Sequence, residues 1–175
     1  MKKNSSTTFA ILALFVVVIV VWTVLNKPAE ETIHYHAGFQ VYVNNKLQDF
    51  SGQKYMSAKP CGDHDEIEHS AEDIQNEKAH LHDQNGDVEH THEPNAVWGD
   101  LFKNIDYKFP SGAMKTYVNG ELYNDDILKK PIVANESVVI FVGTNTDIDK
   151  KLAGAITKTR ILEIENKSED CGIKK

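Results

Sequence analysis

From Asn4 to Asn26 the chain runs 23 residues without a charged side chain, and Phe9 to Leu25 within it reads FAILALFVVVIVVWTVL, where only Thr23 is not apolar. At about 1.5 Å per residue, a helix of that length crosses a hydrocarbon core of about 30 Å. A cleaved secretory signal is the rival reading, because Met1-Lys2-Lys3 resembles a charged leader. However, the apolar run exceeds the usual limit of about 15 residues, and Asn26-Lys27-Pro28-Ala29 matches a small-residue cleavage site poorly. The pattern predicts a cytoplasmic tail over 1–8 and an uncleaved single-span transmembrane anchor over 9–26. Lys2 and Lys3 keep the N-terminus cytoplasmic, so everything after Lys27 is expected to be extracytoplasmic.

The linker 27–32 reaches at most about 20 Å, which holds the following domain close to its membrane. Without Lys2 and Lys3, 17 basic residues face 26 acidic ones, a charge of −9 that anionic headgroups repel. The acidity, with Arg160 the only arginine, argues against a nucleic-acid partner. The length of 175 residues is too short for a (β/α)₈ barrel and suits one domain with an appendage.

Cys61 and Cys171 are the only cysteines and form no C-x-x-C pair, so thioredoxin-type chemistry has no support. Outside the cell, two lone cysteines more often form one structural disulfide. Here it would close a loop of roughly 110 residues, worth about 4–5 kcal/mol in the chain-entropy account. Asn135-Glu-Ser137 and Asn166-Lys-Ser168 fit the frequent, weak glycosylation pattern.

Within the exterior domain, expected over 33–144, Ile33, Tyr35, Ala37, Phe39, Val41 and Val43 alternate with His34, His36, Gly38, Gln40 and Tyr42. Period 2 over this length predicts a strand with one buried face. Asn44-Asn45 supplies a turn, and Leu47 to Phe50 is expected to return as a partner strand. Residues 61–77 carry seven acids and no base, a solvated loop with a short helix near Ala71 to Lys78, or else an acidic funnel for cations.

Val97, Trp98, Leu101, Phe102 and Ile105 fit one helix face with Asn95 as its N-cap. Asn119-Gly120 marks a hairpin, and Glu136 to Gly143 reads as a buried strand. A helix capped by Asn145 or Thr146 is expected from Ile148 to about Asn166, within a C-terminal helix and tail over 145–175. Together these elements predict an α+β fold: the transmembrane helix, then a mixed sheet with one packed helix in a β-grasp-like order, then a C-terminal helix.

Six of the eight histidines form three His-x-His pairs, His34/His36, His80/His82 and His90/His92. On a strand, residues two apart project from one face about 6.5–7 Å from each other, so two imidazoles can converge on one ion. Register decides whether the second and third pairs meet. A two-residue Asn85-Gly86 loop pairs His82 with Glu89 and turns His90 away. A three-residue loop Gln84-Asn85-Gly86, with Gly86 left-handed in a bulge, pairs His80 with His90 instead. Glycine at the third position favours this register. It puts His80, His82, His90 and His92 on one face, with Ala79, Leu81, Glu89 and Thr91 on the other.

A neighbouring Ile33 strand would add His34 and His36 to the same surface. Asp83 and Asp87 flank the turn and are candidates to accept hydrogen bonds from the imidazoles. A set of imidazoles without thiolates suits a transition metal ion, Cu or Zn above all, with Ni the other fit. His64 and His69 lie in the acidic loop and are not expected to be ligands.

No G-x-S-x-G, phosphate-binding loop or dinucleotide motif occurs, and neither cysteine has a nearby histidine of the activated-nucleophile kind. The His-x-His of a cupin needs a glutamate four residues on, where Gln40 stands, and a cupredoxin needs a histidine after its cysteine, which Cys171 lacks. The expected function is therefore metal capture, buffering or delivery, with a membrane protein as a possible partner. A metal-dependent exterior enzyme on the same ligands, with Glu89 or Asp83 as base, is the alternative. A non-metal envelope or pH-sensing subunit is a third.

At HYHAGFQVYVNNKLQDF (34–50), HLHDQNGDVEHTH (80–92) and VWGDLFKNI (97–105) the chain resembles an uncharacterised family of membrane-anchored, His-rich exterior proteins. Its members occur in archaea, ammonia oxidisers among them, and in some poorly cultured bacteria. The resemblance covers 33–143 and implies anchoring and architecture. Ammonia-oxidising archaea depend on copper, so it also favours Cu. Members tend to have apolar residues where this chain has Glu89 and Thr91.

Overall fold

The computed structural model describes Trp22, residues 33–57 and residues 70–168, with a division of the chain between Thr32 and Ile33. The rest of Phe9–Leu25, the residues His64 and His69, and the expected disulfide partners Cys61 and Cys171 lie outside the described residues. Among the described residues, no helix is long and apolar enough to cross a membrane. The second unit is an α+β fold with a mixed sheet and several helices.

The alternating segment forms β1, Tyr35–Val43, whose Ala37, Phe39 and Val41 are fully buried in the main core. Asn44 and Asn45 both take positive φ, 47° and 70°, the conformation a tight hairpin demands. The return strand β2 is only Lys46–Leu47, shorter than the expected run to Phe50. Phe50 leaves the ladder because its ring enters the core, 5.5 Å from Phe39 and 5.0 Å from Tyr107.

Two further strands pair with β1. Along its first half β3, Val88–Thr91, lies antiparallel, with His36 opposite His90. On the other edge β6, Ser137–Val142, runs parallel. Next to β6 come β4, Met114–Val118, and β5, Glu121–Tyr123, in the order β2-β1-β6-β4-β5. Asn119 and Gly120, with φ of 51° and 84°, form the expected two-residue turn between β4 and β5.

On the core face α2, Trp98–Asn104 in this chain, buries Trp98, Leu101 and Phe102, with Ile105 just beyond its end. The cap is not Asn95, which has φ of 59° and lies outside the helix. Val97 holds that position, its N–H donating to Asp100 Oδ2 at 3.0 Å, so an acid in the first turn replaces the expected side-chain cap. Gly99 is required here by proximity, since a Cβ would stand 2.6 Å from the Leu128 carbonyl oxygen. Trp98 Nε1 donates to the buried Glu136 carboxylate at 2.9 Å, and Lys130 pairs with the same group at 2.5 Å. That pairing leaves no bare charge in the core.

Ahead of α2, the short helix α1 spans Ala71–Lys78 and is closed by Ser70 and Asp73 in a reciprocal capping box. The expected single C-terminal helix is two: α3, Ile148–Ala153, and α4, Lys158–Ser168. The break falls at Gly154, and Thr157 Oγ1 then accepts from Arg160 N at 3.2 Å to open α4. The apolar stripe slips between Leu152 and Ile161, so one straight helix could not turn both toward the sheet. Breaking lets Ile156, Ile161 and Ile164 cover Val88 on the face away from the main core.

Candidate metal centre

The three His-x-His pairs meet on the outer face of β1 and β3, beside the patch covered by α4. His36 comes from β1, with His34 just ahead of it, and His90 from β3, with His92 just beyond it. The segment Ala79–His82 lies on the other side of β3: His80 N donates to His90 O at 3.0 Å and His90 N to His80 O at 2.9 Å. His90 therefore has a histidine directly across from it on both flanks, His36 and His80. Side-chain alternation then sends Ala79, Leu81, Glu89 and Thr91 to the core face, all of them fully buried.

This is the register in which His80 meets His90, but its turn is built differently from the expected bulge. Asn85 N donates to His82 O at 3.0 Å, and Asp83 and Gln84 carry the positive φ, 54° and 59°. Gly86 is not the left-handed residue. It is glycine because a Cβ there would stand 2.3 Å from Ser51 N and 2.4 Å from Phe50 C.

The rings form one cluster. The His90 centroid lies 4.6 Å from His34, 4.3 Å from His36, 5.1 Å from His80, 4.6 Å from His82 and 4.3 Å from His92. Among the described residues, two sets of three ligand nitrogens lie within 4.8 Å of one another: His34, His90 and His92, and His36, His82 and His90. His90 belongs to both, and its Nδ1 faces His82 Nε2. His80 joins the ring cluster but neither set. His34 Nε2 is buried with no hydrogen-bond partner among the described groups.

Outer contacts orient two of these rings. Asp83 Oδ2 lies 2.6 Å from His82 Nδ1, which leaves Nε2 directed at His90. Asp87 does not act on an imidazole; its carboxylate lies 3.5 Å from the Arg160 guanidinium. His80 Nδ1 lies 3.0 Å from the carbonyl oxygen of Asn76, in the last turn of α1. Reading the sequence did not find Asn76, because a backbone acceptor carries no residue signature. What brings it there is a polar staple between α1 and α2: Asn104 Nδ2 donates to Gln75 O at 2.7 Å and to Ala79 O at 2.8 Å.

Burial sets the protonation of the cluster. It lowers His36 to about 3, helped by the neighbouring His34, His82 and His92. It lowers His80 to about 4, against the opposing pull of the Asn76 carbonyl. His90, fully buried among four histidines that also repel its charge, is held far below the ordinary range. These three imidazoles are neutral at neutral pH, the state in which histidine binds a metal. On the core face, burial instead pushes the Glu89 carboxyl well above the usual range, with Thr91 Oγ1 donating to it at 2.8 Å.

Nitrogen donors without thiolate suit Zn or Cu(II), and three of them leave a fourth coordination position open. The His residues in the two sets could hold such an ion. Comparison with protein-family models, with curated proteins and with solved structures gives no match.

Proposed function

We propose that this chain is a membrane-anchored, extracytoplasmic protein that binds Cu or Zn for capture, buffering or delivery. The observation that carries the reading is the His90 hub, one buried imidazole shared by two three-nitrogen sets. The charge-free run over 9–26 and the lysines ahead of it support anchoring and the exterior location. The order β2-β1-β6-β4-β5, with the parallel pair β1/β6 at its centre, supports the β-grasp-like description. Delivery implies a membrane-protein partner close to the surface.

The binding reading is favoured over an enzyme by where the two candidate bases sit. Asp83 is engaged by His82, and Glu89 is on the core side of β3. A pH sensor working near 6.5 draws no support from His36 and His80, whose transitions lie at about 3 and about 4.

The test is elemental analysis and metal titration of the full chain in detergent, beside a variant with His80, His82, His90 and His92 all changed to Ala. One or two equivalents of Cu or Zn, lost in the variant, is the expected result. Metal bound no better than by the variant would sink the reading.

A further inference from the structure

The two ligand sets cannot be filled independently, because both need His90. A neutral imidazole has one nitrogen lone pair to give, since its other nitrogen carries the proton. To serve two ions at once, His90 would have to lose that proton and stand as an anion between two dications. Two dications repel four times as strongly as two unit charges at the same distance. Neither set contains a carboxylate or thiolate to offset that charge, and His36 and His90 are buried where charge is poorly solvated. Two simultaneous ions are therefore disfavoured, while two alternative positions for one ion are not.

The positions also differ in access. His34 and His92, which join His90 in the first set, are both partly exposed. The second set replaces them with the buried His36 and with the partly exposed His82, whose ring Asp83 holds in place, so it offers one partly exposed ligand where the first set offers two. An ion arriving from solvent meets the first set more readily.

Resting on the metal-binding reading above, we propose that the cluster is a one-ion, two-position handover site. The ion exchanges the nitrogens of His34 and His92 for those of His36 and His82. His90 supplies a nitrogen in either position, and its single ring proton sits on whichever nitrogen is not bound. Two metal–nitrogen bonds break and two form, with no change in oxidation state. A delivery protein gains from this arrangement, because the ion moves by stepwise ligand exchange instead of full release.

The experiment uses the full chain in detergent micelles and Co(II) as the probe, whose visible absorption reports its coordination. Stoichiometry is read by elemental analysis. The unmodified chain is expected to bind one Co(II). The pairs His34→Ala with His92→Ala, and His36→Ala with His82→Ala, are each expected to retain one ion, more weakly, with two different spectra. Loss of an outer-shell partner alone costs about 10–100-fold in metal affinity, so His90→Ala, which removes a ligand from both positions, is expected to weaken binding roughly 100-fold or more.

Two ions in the unmodified chain would overturn the proposal in favour of a bridged pair. One paired variant binding like the unmodified chain, while the other binds nothing, would overturn it in favour of a single fixed site. Circular dichroism checks the fold of each variant, and His→Gln versions replace any that fail. No Co(II) on the unmodified chain would instead defeat the metal-binding reading itself.

Discussion

His36 and His90 are direct cross-strand partners in the β1/β3 pair, with ring centroids 4.3 Å apart. His80 faces His90 across its opposite edge, in mutual backbone hydrogen bonds of 3.0 and 2.9 Å. A strand carrying one His-x-His pair thus lies between two segments that carry the others. This makes His90 unequal to its five neighbours, and the consequences can be measured.

His90→Ala should reduce affinity for Cu or Zn more than any other single histidine substitution, by about 100-fold or more, because it removes a nitrogen from both sets. His80→Ala, outside both sets, should cost far less. Competition titration against a chelator of known affinity compares the two. Equal losses would show that the rings act as an undifferentiated patch.

Acid should destabilise the metal-free protein through the same rings. Unfolded histidines titrate near 6.5, whereas His36 and His80 stay neutral in the fold down to about 3 and about 4. Below about pH 6.5 the unfolded chain binds protons that the fold refuses, so stability falls as pH falls. Above that pH both states are neutral and the effect vanishes. Each such histidine contributes a slope of roughly 1 kcal/mol per pH unit inside its window. Urea midpoints from pH 7 to 4 should fall in the unmodified chain and fall less in His36→Gln. A pH-independent midpoint would contradict the burial of these rings.

Glu89 has the opposite sign. Burial raises its carboxyl, so above about pH 4.5 the unfolded chain releases a proton that the fold retains, and stability declines as pH rises toward the folded-state value. Glu89→Gln keeps the shape and an acceptor for Thr91 without a group that must stay protonated. It should stabilise the protein at pH 7.5, on the order of 1 kcal/mol, and make little difference at pH 4. Thermal or urea unfolding at the two pH values checks this; equal effects at both would show that ionisation of Glu89 is not the cause.

Gly86→Ala should destabilise by about 1–3 kcal/mol, because its Cβ would strike the backbone of Phe50 and Ser51 rather than a movable side chain. Gly52→Ala is the control: nothing lies within 4 Å of a Cβ there, so it should stay within about 0.5 kcal/mol of the unmodified chain. Urea midpoints of the two variants decide whether Gly86 is held by close approach or only by chain flexibility.

Much of the fold was legible residue by residue. The alternation of Ile33 to Val43, the turns at Asn44-Asn45 and Asn119-Gly120, the extent of α1 and the buried face of α2 are all written within windows of a few residues. Period and turn chemistry act over that range, so sequence alone also put each histidine pair on one face of its segment. The cap of α2 was missed because Asn95 is the better capping residue, yet Asp100 supplies the favourable charge from inside the helix. The long C-terminal helix was expected because its residues are locally helical. Only the sheet's shape made two short pieces bury Ile161 and Ile164 better than one straight run.

What the sequence by itself determined, then, is local: which residues form strands, where they turn, and that the histidines come in same-face pairs. Tertiary structure alone decided between the two registers that the sequence allowed for the His80 and His90 segments, that β1 is the neighbour on the other flank of β3, and that an α1 carbonyl meets His80. The physical reason is that strand neighbours are selected by contacts summed over distant parts of the chain, such as the Gln75–Asn104 staple and the isoleucines on Val88. No short window records those contacts. The His90 hub is the product of that selection.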